Sequence, residues 1–345
     1  MRIALVSSVV PLVNGGARFI VEWLEHHLKA HGHQVERFYL PFIDRPHDLL
    51  QQIAAYRMID LSQSADRIIC FRPPAYVLPH PNKVLWFIHH IRVFYDLWES
   101  PYRPVPNDER GRALRQALVD IDTKTIGEAR HIFTNSRIVR DRLLKFNRID
   151  AKPLYPPLFM PERFSNAGYG DTIVSVCRLE PHKRQHLMVE AMRHVKTGVK
   201  LHILGRSSNS AYTRQMQEII SRHGLEARVL LEDRWISEEE KANLLSTCLA
   251  SAYLPLDEDS YGYPSLEAAH SCKAVVTTHD SGGVLELVQH LRNGLVVSAN
   301  PKSIADSFDL LYQEREKARA MGMENLARIK ELRIDWGNVI EAMTA

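Results

Sequence analysis

DEDSYGYPSLEAAHSCKAVVTTHDSGGVLE, residues 257–286, reads in succession as a loop, a helix, a strand and the start of a second helix. Pro264 suits the first turn of a helix, where its missing N–H costs nothing and its fixed φ is already helical. A helix starting there leaves Asp259 in the loop before the N-terminus and puts Glu267 about one turn inside, so both carboxylates can border one cavity. Gly262 lets the loop bend and lets a ligand come close to the backbone. The run Ala274 to Thr278, apolar and β-branched, reads as a buried strand. It leads into Ser281-Gly282-Gly283, a turn that opens the next helix with Glu286 in its first turn. Free N–H groups at two neighbouring helix starts form a seat for a diphosphate, and acidic side chains beside it suit the hydroxyls of sugars.

Outward from this stretch, strand and helix signals alternate. Upstream, Thr172 to Val176, Lys200 to Leu204, Arg228 to Leu231 and Ala250 to Leu254 read as strands. Between them lie helical Gln185 to Met192, Tyr212 to His223, and a helix to Thr247 opened by the Ser237/Glu240 capping box. After Asn300-Pro301 the chain to Lys330 is charged and helical. The N-terminal half repeats the alternation. Strands are expected at Arg2 to Val6, Val35 to Tyr39, Arg67 to Cys70, Lys83 to Phe87 and His131 to Thr134. Helices are expected where Phe19, Ile20, Trp23, Leu24 and Leu28 recur at helical spacing, from Asp108 to Arg130, and from Ser136 to Phe146.

Pro156, Pro157, Pro161 and the run from Ser165 to Gly170 have turn chemistry and little periodicity, which marks a linker. The expected class is α/β, with two doubly wound domains: residues 1–160, residues 161–325, and a C-terminal helical segment, 326–345, with Trp336, returning to the first domain. Ligands on such sheets sit at the carboxyl ends of the strands. That rule selects Val10 to Gly16, the loop after Phe87, the loop after Val176, the loop after Leu204 with Gly205, and the opening stretch.

A net charge of +3 with 25% charged and 45% hydrophobic residues is ordinary for a globular protein and argues against a nucleic-acid partner. Cys70, Cys177, Cys248 and Cys272 are scattered, with neither zinc spacing nor a disulfide framework, which fits a reduced, cytoplasmic setting. MRIALVSSVV is too short for a signal peptide, and no apolar run approaches a membrane span, so any membrane contact is expected to be peripheral, at the inner face.

These residues, in this order and spacing, resemble the retaining, nucleotide-sugar-dependent glycosyltransferases of family four, also called glycosyl transferases group 1. Their fold is GT-B, two facing Rossmann-like domains with a central cleft. The resemblance rests on Asp259 and Glu267 with seven residues between them, Ser281 to Glu286, Arg178 and Lys183 in VCRLEPHKRQHL, Gly15-Gly16, the Asn-Ser of FTNSRIVRDRL and the Tyr-Pro-Pro of LYPPL. It implies a catalytic set of Arg178, Lys183, Asp259 and His89. Arg178 and Lys183 would bind and neutralise the diphosphate, and both are expected on an exposed cleft wall. Asp259 would hold the transferred sugar, with Glu258 or Asp257 able to substitute, and His89 would stand near the reacting carbon. The implied donor-binding set is Gly15, Gly16, Gly205, Arg234, Tyr261, Gly262, Tyr263, Glu267, Gly282 and Gly283, with Glu267 on the ribose and Arg234 and Trp235 at the base.

The expected activity is transfer of a hexose, of mannose or glucose type, from a GDP- or UDP-linked donor to a glycan or lipid-linked saccharide acceptor. Retention and independence of any metal follow from the resemblance, and no cofactor is expected. Two other classes stay open: a non-catalytic nucleotide-binding module, and an NAD-dependent oxidoreductase, disfavoured because no G-x-G-x-x-G follows the first strand. Single residues have plainer readings. Arg178 and Lys183 also fit solvated charges, Gly15-Gly16 a simple turn, and His89-His90 a packing pair. Cys272 fits a small core residue, and the basic, aromatic stretch from Ile91 to Arg115 fits either an acceptor or headgroup surface or a solvated helix face.

Overall fold

Every residue of the strands Arg67–Cys70 and Ala274–Thr278 is buried, the mark of strands inside parallel sheets covered on both faces. In a computed structural model describing residues 1–9, 16–43 and 45–345, the chain forms two units, Met1–Pro156 with Ile334–Ala345, and Pro157–Arg333.

The first unit runs β1 (Arg2–Val9), α1 (Gly16–Ala30), β2 (Gln34–Pro41), α2 (Leu49–Arg57), β3 (Arg67–Cys70), β4 (Lys83–Phe87), α3 (Glu109–Gly127), β5 (His131–Thr134), α4 (Arg137–Asn147) and β6 (Lys152–Pro153). All strands are parallel, in the order β2-β1-β3-β4-β5-β6. Helix starts follow the capping chemistry of the sequence. Asp108 accepts from Gly111 N at 2.8 Å, and Ser136 accepts from Val139 N at 3.1 Å. Lys83, fully buried on β4, is accommodated because its ammonium donates to the carbonyls of Tyr76, Leu78 and Thr125 and to Glu128, at 2.9–3.1 Å.

The second unit runs β7 (Thr172–Val176), α5 (Gln185–Ala191), β8 (Lys200–Leu204), α6 (Ser210–Arg222), β9 (Val229–Glu232), α7 (Glu238–Thr247), β10 (Ala250–Ala252), α8 (Tyr263–His270), β11 (Ala274–Thr278), α9 (Val284–Leu287), β12 (Gly294–Val297), α10 (Pro301–Gln313) and α11 (Arg315–Glu331). Its strands are also parallel, in the order β12-β11-β10-β7-β8-β9. The order reverses between β7 and β10, which is where a doubly wound sheet opens a crevice for a ligand.

Three expectations are adjusted. The first strand continues through Ser7 and Ser8 to Val9. The segment from 301 to 331 is two helices, because the chain leaves helical geometry at Glu314, φ −108 and ψ 65. The return to the first unit comes at Ile334, and α12 (Trp336–Thr344) packs on α1, with Trp336 stacked on His27 at 4.2 Å and Arg67 donating to Met343 O at 2.7 Å. Among the described residues no helix is long and apolar enough to cross a membrane.

Candidate functional site

Where the second sheet reverses, the loop after β7 carries Arg178 and Lys183 and the loop after β10 carries Asp257 to Gly262. The two loops meet at a three-residue cluster. Lys183 Nζ lies 2.8 Å from Tyr253 OH and forms a close ion pair with Glu258, while Tyr253 donates to Glu258 Oε2 at 2.9 Å. Burial pushes the Glu258 carboxyl up, but Lys183 beside it prevails and holds it below the usual carboxylate range. Lys183 is 7% exposed, so the expectation of an exposed lysine is corrected: the side chain is drawn in by a carboxylate and a phenol. Arg178 is exposed as expected, and its guanidinium has no partner among the described residues. Of the three acids in the loop, Glu258 is the one Lys183 grips; Asp259, half-buried, is its immediate neighbour.

Glycines let this loop close on its neighbours. Gly262 has φ +69, and a Cβ there would lie 2.4 Å from the Tyr253 ring. Gly282 has φ +60 and would meet Glu258 O at 2.4 Å, so the Ser-Gly-Gly turn is pressed directly on the acidic loop. A Cβ on Gly283 would lie 2.7 Å from Ser260 backbone atoms, and one on Gly205 would lie 1.8 Å from Cys177 O. Gly205 thus seats the loop after β8 on the loop after β7.

The expected amide seat is narrower than the sequence implies. Gly283 N donates to Glu258 O at 2.8 Å, and the amides of Val284, Leu285 and Glu286 donate within the turn at 3.0–3.4 Å. The second helix, α9, is a single turn of 4 residues, so its amides are spent closing the loop. On α8, Glu267 is buried, with Oε1 2.6 Å from Lys241 Nζ of α7. Burial pushes the Glu267 carboxyl up and Lys241 opposes that shift. Tyr261 is buried and Tyr263 half-buried in the same loop and helix start.

Arg234 and Trp235 follow β9. Both are exposed, and Arg234 is clamped by Glu232 at 2.8 Å and by Glu240. In the first unit, His89 Nδ1 donates to His90 O at 2.7 Å. His90 is buried, bonded to Asn147 Oδ1 at 2.8 Å and packed on Tyr95 and Phe87, as its packing reading expected; burial pushes its pKa down to about 4. Gly16 opens α1, and Gly15 lies outside the described residues.

Some participants are not singled out by sequence motif. Tyr253 reads only as a strand residue, Lys241 only as a charge on a capped helix, and Arg184 only as a neighbour of Lys183. In the first unit, and with no shown part in this site, Arg72 in the loop after β3 is half-buried without a partner among the described residues. The only local signal available was chemical: cations and hydroxyl-bearing residues next to strand ends.

Two doubly wound units, the second with a cation-rich loop against an acidic one at the reversal of its sheet, make the GT-B fold. Residues 162–327 match the model of the family described as glycosyl transferases group 1. That match lies within the second unit and spans just under half of the chain. The chain is 23% identical over 311 residues to the human (Homo sapiens) alpha-1,3/1,6-mannosyltransferase ALG2, covering 81% of this chain and 72% of that protein. Among solved structures it resembles sucrose-phosphate synthase from Thermosynechococcus elongatus, with TM-score 0.74, 16% identity, and 99% and 97% of the two chains covered. It also resembles Anabaena Alr3699/HepE in complex with UDP-glucose, with TM-score 0.72, 17% identity, and 99% and 98% covered.

Proposed function

We propose that this glycosyltransferase moves a hexose of mannose or glucose type, with retention and without a metal ion, from a GDP- or UDP-linked donor to a glycan or lipid-linked saccharide acceptor. The observation that carries the reading is the pairing of an exposed, unpartnered Arg178 with a buried Lys183 on one loop of the unit that matches the family. Two cations on one loop, Lys183 held in place and Arg178 free to meet a ligand, suit a leaving group that gains negative charge, the task a divalent ion performs in other transferases.

In this reading the anomeric C–O bond to the diphosphate breaks while the acceptor oxygen bonds to the same face of the sugar. The acceptor proton passes to a departing diphosphate oxygen, so the protein supplies no nucleophile. Arg178 and Lys183 neutralise the diphosphate. Asp259 and Glu258 hold sugar hydroxyls, with the backbone from Tyr261 to Tyr263 beside them. Glu267 accepts from the ribose, Trp235 and Arg234 border the base, and His89 orients sugar or acceptor. The name of the human relative, a mannosyltransferase, and the UDP-glucose bound in the Anabaena structure support a hexose donor of this kind. Peripheral contact with the inner face of a membrane would bring the enzyme to a lipid-linked acceptor.

The test is hydrolysis and transfer across a panel of GDP- and UDP-hexoses, with and without EDTA, and NMR of the product anomer. One donor should be consumed in EDTA with its anomeric configuration kept. Loss of turnover in EDTA, an inverted product, or no donor consumed would sink the proposal.

A further inference from the structure

Glu267 is a demanding position for a ligand-binding carboxylate, since its side chain is 7% exposed and burial favours the neutral acid. Lys241 stands against that tendency. Its ammonium lies 2.6 Å from Glu267 Oε1 and 2.9 Å from Glu238 Oε1, with the lysine side chain itself 12% exposed. One ammonium is therefore shared by two carboxylates, and together they hold Lys241 above its ordinary range despite its burial.

Among the described residues, the charges acting on Glu267 are Lys241 and Glu238 of α7. Tyr263, on α8 with Glu267, faces the same carboxylate and is kept neutral by burial and by that charge. Oε1 of Glu267 is occupied, whereas Oε2 has no hydrogen-bond partner among the described residues. The pair thus fixes one carboxylate oxygen and leaves the acceptor capacity of the other unused among the described residues.

We propose that Lys241 is a positioning residue for the donor nucleotide: it takes one oxygen of Glu267 and so presents the other to the vicinal hydroxyls of the ribose. This rests on the reading of Glu267 given above and goes beyond it, because it assigns the work of holding that carboxylate to a second helix. An ionised carboxylate accepts two charge-assisted bonds from a cis-diol, whereas a protonated one loses much of that strength. Without the ammonium, burial raises the Glu267 carboxyl further above its ordinary range and ribose recognition becomes more pH-dependent. The sign follows from the chemistry: recognition is complete above the pKa of the carboxyl and is lost as pH falls through it, by about ten-fold per pH unit.

The experiment is calorimetric titration of the full chain with UDP and GDP, each beside its 2′,3′-dideoxy analogue, from about pH 6 to pH 8.5. Wild type should prefer the intact ribose at every pH. Lys241→Met should keep the preference at the alkaline end and lose it progressively toward pH 6, while Lys241→Arg should behave as wild type. Glu238→Gln, which leaves the Lys241–Glu267 pair in place, should keep the preference throughout and serves as the readout if Lys241→Met does not fold. An unchanged preference in Lys241→Met at all pH values, or its loss in Glu238→Gln, overturns the role of Lys241. Absence of any ribose preference in wild type overturns the Glu267 assignment first, and the proposal with it.

Discussion

Arg184 clasps Asp280 through two parallel bonds, Nη1 to Oδ2 at 2.8 Å and Nη2 to Oδ1 at 2.7 Å, and so ties the end of the loop after β7 to the end of β11. The same guanidinium donates to Leu254 O at 2.7 Å, Pro255 O at 2.9 Å and Thr278 Oγ1 at 2.7 Å. One planar fork therefore sets the relative position of three strand ends, a geometry an ammonium does not reproduce. Arg184 adopts φ +55 to do so, and it directly follows Lys183, so its placement fixes the catalytic candidate beside it.

Replacing Arg184 by Met strands two carbonyls and a carboxylate. The expected loss is roughly 2–3 kcal/mol of stability, less than for a fully buried pair because Asp280 is partly hydrated. Chemical denaturation measures it. Asp280 adds a pH signature. Its hydrogen bond from Arg184 pulls the carboxyl down to about 2, so its contribution is present above the unfolded value near 4 and fades as pH falls toward 2. Asp280→Asn should flatten the stability curve in that acid window; an unchanged acid limb would show that the clamp contributes nothing there.

Arg178 and Lys183 should separate in their effects. Arg178→Ala removes an exposed, unpartnered cation, so the melting temperature should stay unchanged while turnover falls roughly 10²- to 10³-fold. Lys183→Ala strips Glu258 and Tyr253 of their cation and should lower both turnover and melting temperature. Adding Glu258→Gln to it should recover the melting temperature and leave turnover low. Thermal melts beside initial rates decide the matter; recovery of both quantities in the double variant would contradict a chemical role for Lys183.

Gly262→Ala tests the fit of the acidic loop. The new methyl meets the Tyr253 ring at 2.4 Å on a backbone with φ +69, so the phenol must leave Lys183 and Glu258 or the loop must shift. A loss of about 1–3 kcal/mol is expected, with weaker nucleoside diphosphate binding measured by calorimetry. Wild-type stability would mean the loop yields freely.

In the first unit, His90 is buried neutral with its pKa pushed down to about 4, so stability is complete above the unfolded value near 6.5 and declines as pH falls toward 4. Asp122, pushed up to about 6 by burial, works in the opposite sense: protonated in the fold, it loses stability as pH rises from about 4 to 6. His90→Asn should remove the first contribution, worth on the order of 3 kcal/mol across its window, and leave the second. Denaturation at pH 4.5, 5.5 and 7 reads the change in slope; a slope identical to wild type would contradict the burial of His90.

The chain's own pattern was enough for the architecture because its signals are local. Apolar β-branched runs at Ile68 to Cys70 and Ala274 to Thr278 need burial on both faces, and Asp108, Ser136 and Ser237 start helices with their own side chains. Where strain or a capping choice intervenes, as at Glu314, a charged helical pattern hides a break that periodicity alone does not report. Motif spacing likewise marked Arg178, Lys183 and Glu267, since those positions lie on a loop and a helix whose starts are set by nearby Pro and Gly residues.

The sequence by itself determined two parallel αβ units and the loops that carry chemistry, because hydrophobic period and turn residues act over a few neighbours. Only the tertiary structure decided which acid meets Lys183, that Lys241 backs Glu267, and that Arg184 joins three strand ends. Those pairs join residues 26 to 96 positions apart, and no local rule sets which of several nearby charges the fold brings within hydrogen-bond reach.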